Sequence, residues 1–166
     1  MNIRRLSPPD AIAYRRLRLR GLRQSPMAFG SSHAEEAKYP LAVFEARLQQ
    51  SATKWAFGAF AGEQLVGVVT LIRDGKPKAR HKASIYGMYV ERKMRRNGLG
   101  RQLLSRALEA ARRMPGLRQV RLAVVEGNRP ALRLYESAGF MIYGREEAAL
   151  RVAGKLHAEL FLAHRL

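Results

Sequence analysis

Met94-Arg-Arg-Asn-Gly-Leu-Gly100 lies between a strand-like run, Ser84 to Val90 (SIYGMYV), and an apolar-periodic run, RQLLSRALEAARRM. That order of residues is suited to holding an anion. The first amides of a helix have no internal partner, and the helix dipole adds positive potential beside them. Gly98 and Gly100 permit close approach of a ligand and unusual backbone angles, while Leu99 can turn into the core as the first apolar residue of the helix. A pyrophosphate over Arg96 to Arg101 would receive several backbone hydrogen bonds together with arginine charge. Two common phosphate loops are excluded by spacing. A Walker loop needs a Gly-Lys-Ser/Thr that does not follow here, and the GxGxxG fingerprint lacks its third glycine, because Gly98-Leu-Gly100 continues as Arg101-Gln-Leu103. RxxGxG alone is also compatible with a tight turn and no ligand.

The elements around this stretch follow from periodicity and punctuation. Asn2 to Leu6 reads as a first strand, and SPPD as a helix start with Asp10 as a possible N-cap. Asp10 to Gln24 has an amphipathic helical pattern, with Ile12, Leu17, Leu19 and Leu22 apolar and arginines between them. SPMAFGSSHAEEAKYP reads as a long loop, and Pro40 to Gln50 as a short helix. The period then changes. Trp55 to Ala61 and Leu65 to Ile72 form a hairpin around GEQ, and Lys82 to Val90 is a third strand of that group. Gly98 to Met114 is a helix, with Leu99, Leu103, Ala107, Ala110 and Met114 at spacings of three and four. Val120 to Val125 is a compact strand, Pro130 to Ala138 a helix ended by Gly139, and Phe140 to Glu147 and Lys155 to Arg165 are two closing strands. A single mixed α/β domain over residues 1–166 is the expected organisation.

Composition sets further limits. The chain's 166 residues suffice for about one domain that buries roughly two-thirds of its unfolded surface. It has no cysteine, which excludes disulfides, thiolate nucleophiles and cysteine-ligated zinc. His33, His81, His157 and His164 show no metal-ligand spacing, so no metal is expected. No apolar run is long enough to span a membrane, and the N-terminus lacks the apolar core of a signal peptide, so a cytoplasmic protein is expected. The formal charge is +18. From Arg73 to Arg113, thirteen basic residues stand against Asp74, Glu91 and Glu109. Such a field favours anionic ligands, although an even arginine bias on solvated faces explains much of the total.

A second stretch lies further along: Asn128-Arg-Pro-Ala-Leu-Arg-Leu-Tyr135-Glu-Ser-Ala-Gly139-Phe140. Together with Tyr89-Val90 and RRNGLGRQLL (Arg95 to Leu104), it resembles the GCN5-related N-acetyltransferase (GNAT) superfamily. The order of elements is similar along nearly the whole chain. The resemblance implies an α/β fold with a mixed sheet of about six to seven strands flanked by about four helices, and a splayed pair of central parallel strands. It implies acetyl-CoA as donor and an amine as acceptor. The pyrophosphate would lie on Arg95, Arg96, Asn97, Gly98, Leu99, Gly100 and Arg101. The pantetheine arm would pair with backbone around Met88, Tyr89 and Val90, where a bulge near Tyr89 would expose amides.

The resemblance also implies that Tyr135 points at the sulfur, as general acid to the departing thiolate. It shares a helix face with Ala131 and Ala138, and a phenol of pKa about 10 can donate usefully to a thiolate. Asn128 is expected to cap its helix and to reach the pantetheine or a water. No general base stands out: Tyr86, His81, Glu91, Glu35 and Glu36 are all candidates, and Ser84 occupies the position where some family members carry a glutamate. Glu35, Glu36 and Tyr39 are expected acceptor contacts. The positive charge tilts the acceptor away from free polyamines. It favours an amine that also carries carboxylate or phosphate, or a peptide amine on an anionic surface. A non-catalytic acyl-CoA-binding module is the alternative, and a nucleic-acid-associated protein a lesser one, since RNA-recognition signatures are missing. A homodimer paired through the late strands or the hairpin is also implied.

Overall fold

The structure, a computed structural model, describes residues 1–166. It contains one seven-stranded mixed sheet. The strands are β1 (Asn2–Arg5), β2 (Lys54–Ala61), β3 (Gln64–Arg73), β4 (Lys82–Val90), β5 (Gln119–Val125), β6 (Met141–Val152) and β7 (Lys155–Arg165), in spatial order β1-β2-β3-β4-β5-β7-β6. All neighbours are antiparallel except β4 and β5, which run parallel. The parallel step needs a crossover, and α4 (Leu99–Arg112) provides it.

The remaining helices are α1 (Ala11–Gln24), α2 (His33–Glu36), α3 (Leu41–Leu48) and α5 (Arg129–Ser137). One helix more than expected is therefore present. It lies in the stretch read as a loop, where Ser32 Oγ accepts from Glu35 N at 3.1 Å and caps α2. A single turn carries too little periodicity to stand out in sequence. Asp10 also differs from expectation. Its carboxylate caps nothing in α1; it accepts from Ser7 N at 2.9 Å and from Arg4 at 2.7 and 2.9 Å.

Two apolar layers hold the sheet. The spacing of α4 turns Leu103, Leu104, Ala107 and Ala111 onto Val69, Leu71, Ile85, Val120 and Leu122, with Tyr135 of α5 in the same cluster. On the opposite face, Tyr14, Leu17 and Leu22 of α1 and Phe44 and Leu48 of α3 cover Ala56, Phe60, Val68 and Tyr89. The helices of this second layer sit over the β1–β4 half. Beyond them, a short 3-10 turn at Pro26–Ala28 packs against β5 and β6.

Candidate active site

The site begins where β4 and β5 separate. They pair only at Lys82–Gln119, Ala83–Val120 and Ser84–Arg121, then diverge. A bulge in β4 accompanies the separation. Val68 pairs with Tyr89 and Thr70 with Tyr86, so Val69 alone faces Gly87 and Met88. Gly87 has φ +58°, a left-handed angle that glycine takes without a Cβ penalty. The bulge anticipated near Tyr89 therefore spans Tyr86 to Tyr89. A cavity of about 860 Å³ runs through the gap. Met88, Asn128, Ala131 and Tyr135 line it, as do Ser84, Tyr86, Arg121 and Ala123.

The glycine stretch forms the turn from β4 into α4. Arg96 (φ +67°) and Gly98 (φ +74°) are both left-handed, and Gly98 is the N-cap of α4. Gln102 N donates to Gly98 O at 3.1 Å, so the amides of Leu99, Gly100 and Arg101 precede the first helical hydrogen bond. Leu99 is buried and anchors the turn. Gly100 serves packing: a Cβ there would stand 3.3 Å from Leu134 Cδ2 and 3.7 Å from Met88 Cε, so its bare face is turned to protein. Arg95 is a strut, donating from Nε to Val90 O at 2.9 Å and from Nη2 to Ser25 Oγ at 3.3 Å. Arg96, Asn97 and Arg101 are exposed around the open amides.

Tyr135 stands across the gap from the bulge. Its hydroxyl donates to Met88 Sδ at 3.6 Å, and its ring meets Phe140 edge-on at 5.9 Å. Burial pushes the phenol up to about 12. Asn128 Oδ1 accepts from Ala131 N at 3.3 Å, which caps α5 and fixes the approach of that helix. The Tyr89 side chain points away from the gap, beneath α1, where its hydroxyl donates to Gln24 Oε1 at 3.0 Å. Only its backbone can therefore serve a ligand in the gap.

The residues expected to meet the acceptor lie elsewhere. Glu35 accepts from Tyr39 Oη at 2.7 Å, and neither residue lines the cavity. Glu36 is fully buried and accepts from Arg18 Nη2 and Arg47 Nη1, both at 2.7 Å. Burial raises its carboxyl, but the two guanidinium hydrogen bonds outweigh that and hold it at about 2. Glu91 is paired with Arg20. Of the candidate bases, only Tyr86 reaches the cavity. Sequence reasoning passed over two lining residues. Arg121 projects from β5, and Glu159 from β7, its carboxyl raised by burial and then by neighbouring Glu146. Both look like ordinary strand alternation until the sheet order is known.

A parallel pair splayed by a bulge, with a helix N-terminus at its mouth and a tyrosine across the gap, is the architecture anticipated from the two motifs. The acetyltransferase (GNAT) family model matches residues 19–140, and the chain belongs to that family. It is 31% identical over 121 residues to the mycothiol acetyltransferase of Brachybacterium faecium. That match covers 70% of this chain but 35% of the relative, so the chain spans about a third of that protein's length. Among solved structures, the acetyltransferase of GNAT family from Streptococcus pneumoniae superposes with a TM-score of 0.88 at 24% identity, over 99% of both chains. A Salmonella typhimurium protein, solved with its cofactor acetyl-CoA, gives 0.83 at 21% identity, over 100% of this chain and 94% of that one.

Proposed function

We propose that the chain is a single-domain N-acetyltransferase that takes acetyl from acetyl-CoA and passes it to a primary amine of a small molecule or of a peptide or protein. One observation carries the reading: the splayed strands and Tyr135 line one cavity, and the open N-terminus of α4 adjoins it, with Gly100 packed beside the lining residue Met88. When bound, acetyl-CoA supplies an activated acyl group and a thiolate leaving group. The residues present fit it. Leu99, Gly100 and Arg101 offer amides to a pyrophosphate at the positive end of the helix, with Arg96 and Arg101 adding charge. The β4 edge from Ile85 onward faces no strand, so the backbone of Met88 and the amide of Val90 are open to an extended arm, while Val90 O is held by Arg95 Nε.

Tyr135 then acts on the leaving group. As the amine nitrogen bonds to the acyl carbon and the carbon–sulfur bond breaks, the phenol gives its proton to the sulfur. The surplus proton of the amine leaves through the cavity's polar side, and Tyr135 is reprotonated from solvent. A homodimer is part of the same proposal, since Met141 and Tyr143 are exposed on the edge strand β6. The test is amine-dependent release of free thiol from acetyl-CoA, scored across an amine panel. Turnover by any primary amine, with the acetylated product found by mass, supports the reading. Binding of acetyl-CoA without turnover by any amine leaves only the non-catalytic module.

A further inference from the structure

We infer that the acceptor is a small amine that also carries a carboxylate or a phosphate, and that Arg121 and its neighbours hold that anion at the closed end of the splay. The inference rests on the N-acetyltransferase reading and assigns its second substrate. Lys54, Ile72, Ser84 and Arg121 are register partners across β2, β3, β4 and β5. They therefore lie in one row on one face of the sheet, the last row before the strands part. Arg121 donates to Asp74 Oδ2 from Nη2 at 3.0 Å, while its buried Nε has no partner. A buried N–H without an acceptor is unfavourable. A carboxylate or phosphate oxygen satisfies it and matches the guanidinium fork.

The opposite wall adds charge of the same sign. Arg18 and Arg47 share the single carboxylate of Glu36, which leaves a net positive charge on the trio. Arg18 grips Glu36 through Nε and Nη2, while its Nη1 would stand 3.4 Å from a Cβ at Gly87, against the bulge itself. Lys54, Arg121, Arg18 and Arg47 all line the cavity; the one lining carboxylate is Glu159. Glu159 pairs in register with Val125, at the far end of β5 from Arg121. The anion and the ammonium are thus drawn to opposite ends, with the small side chain of Ala123 between them beside the gap. Two rows of the sheet, about 13 Å along β5, separate Arg121 from the Val125–Glu159 pair, which suits a small molecule whose anion and amine stand several bonds apart, of the ω-amino-acid or aminoalkyl-phosphate type.

The test compares matched acceptors with the full chain: an ω-amino acid against its amide, and an aminoalkyl phosphate against the corresponding amino alcohol. The anionic member of at least one pair should have a kcat/KM about tenfold higher, expressed mainly in KM. Arg121→Met should reduce that ratio to about threefold or less, with Arg121→Lys keeping part of it. Lys54→Met, which loses only a bond to Ala46 O at 2.7 Å, serves as a second probe if Arg121→Met does not fold. Whichever pair shows the preference identifies the anion. Equal rates for anionic and neutral members in the wild type overturn the inference and leave acetyl transfer standing. So does a preference that survives both substitutions, or turnover of peptide amines alone. Failure to bind acetyl-CoA overturns both readings together.

Discussion

Replacing Tyr135 by Phe separates chemistry from packing. The ring keeps its burial and its edge contact with Phe140, and only the hydroxyl is lost. That hydroxyl has one partner, Met88 Sδ at 3.6 Å, and a thioether is a weak acceptor. Its removal should cost roughly 0–1 kcal/mol of stability. The rate should respond differently. Loss of a positioned general acid lowers kcat by about 10²–10⁴, or roughly 3–5 kcal/mol of barrier. Burial pushes the phenol up to about 12, so it stays protonated throughout the neutral range. The same burial disfavours the departing thiolate and so strengthens its demand for that proton. The assay is kcat at saturating substrates beside urea denaturation of the same preparation. A variant retaining more than about a third of wild-type kcat would refute the acid role. One that loses more than about 2 kcal/mol of stability would refute the separation.

Three further outcomes follow from the same geometry. Glu36→Ala strands two guanidinium groups and should cost about 3–5 kcal/mol in urea denaturation; a cost below about 1 kcal/mol contradicts the buried ion-pair reading. Because Arg18 and Arg47 hold Glu36 at about 2 against an ordinary 4.5, its contribution is present above pH 4.5 and lost as pH falls toward 2. Wild type should therefore lose more stability across that window than Glu36→Gln, and parallel acid profiles would contradict this. Gly98→Ala forces a side chain to φ +74° and should cost about 1–2 kcal/mol while weakening acetyl-CoA binding; an unchanged melting temperature would show the turn relaxing instead.

Much of the fold was readable in the residues because burial imposes a period. The three-and-four spacing of Leu99, Leu103 and Ala107 marks α4 since that face is covered by the sheet. β3 is marked instead by a continuous apolar run buried on both faces, and β4 by alternation through its first half. Gly98 could be read as the turn into α4 because a left-handed N-cap selects glycine. The packing share of Gly100 was not legible, since its bare face meets Leu134 of α5 and Met88 of β4, contacts made between separate elements. Glu36 was offered to the acceptor because no local pattern shows that Arg18 and Arg47 converge on it. Arg121 and Glu159 escaped notice because their face is defined only by sheet order, and β7 inserts between β5 and β6. The bulge at Gly87 depends on register, which belongs to the pair of strands and not to either one.

Titration calorimetry of acetyl-CoA against wild type and Gly98→Glu tests the central claim most directly. The substitution sets a carboxylate at the N-terminus of α4, where a pyrophosphate would meet the open amides, and strains the left-handed turn. The account predicts 1:1 binding by the wild type and a loss of at least about a hundredfold in the variant, with the circular dichroism spectrum retained. Equal affinity in a folded variant, or no binding by the folded wild type, would contradict it.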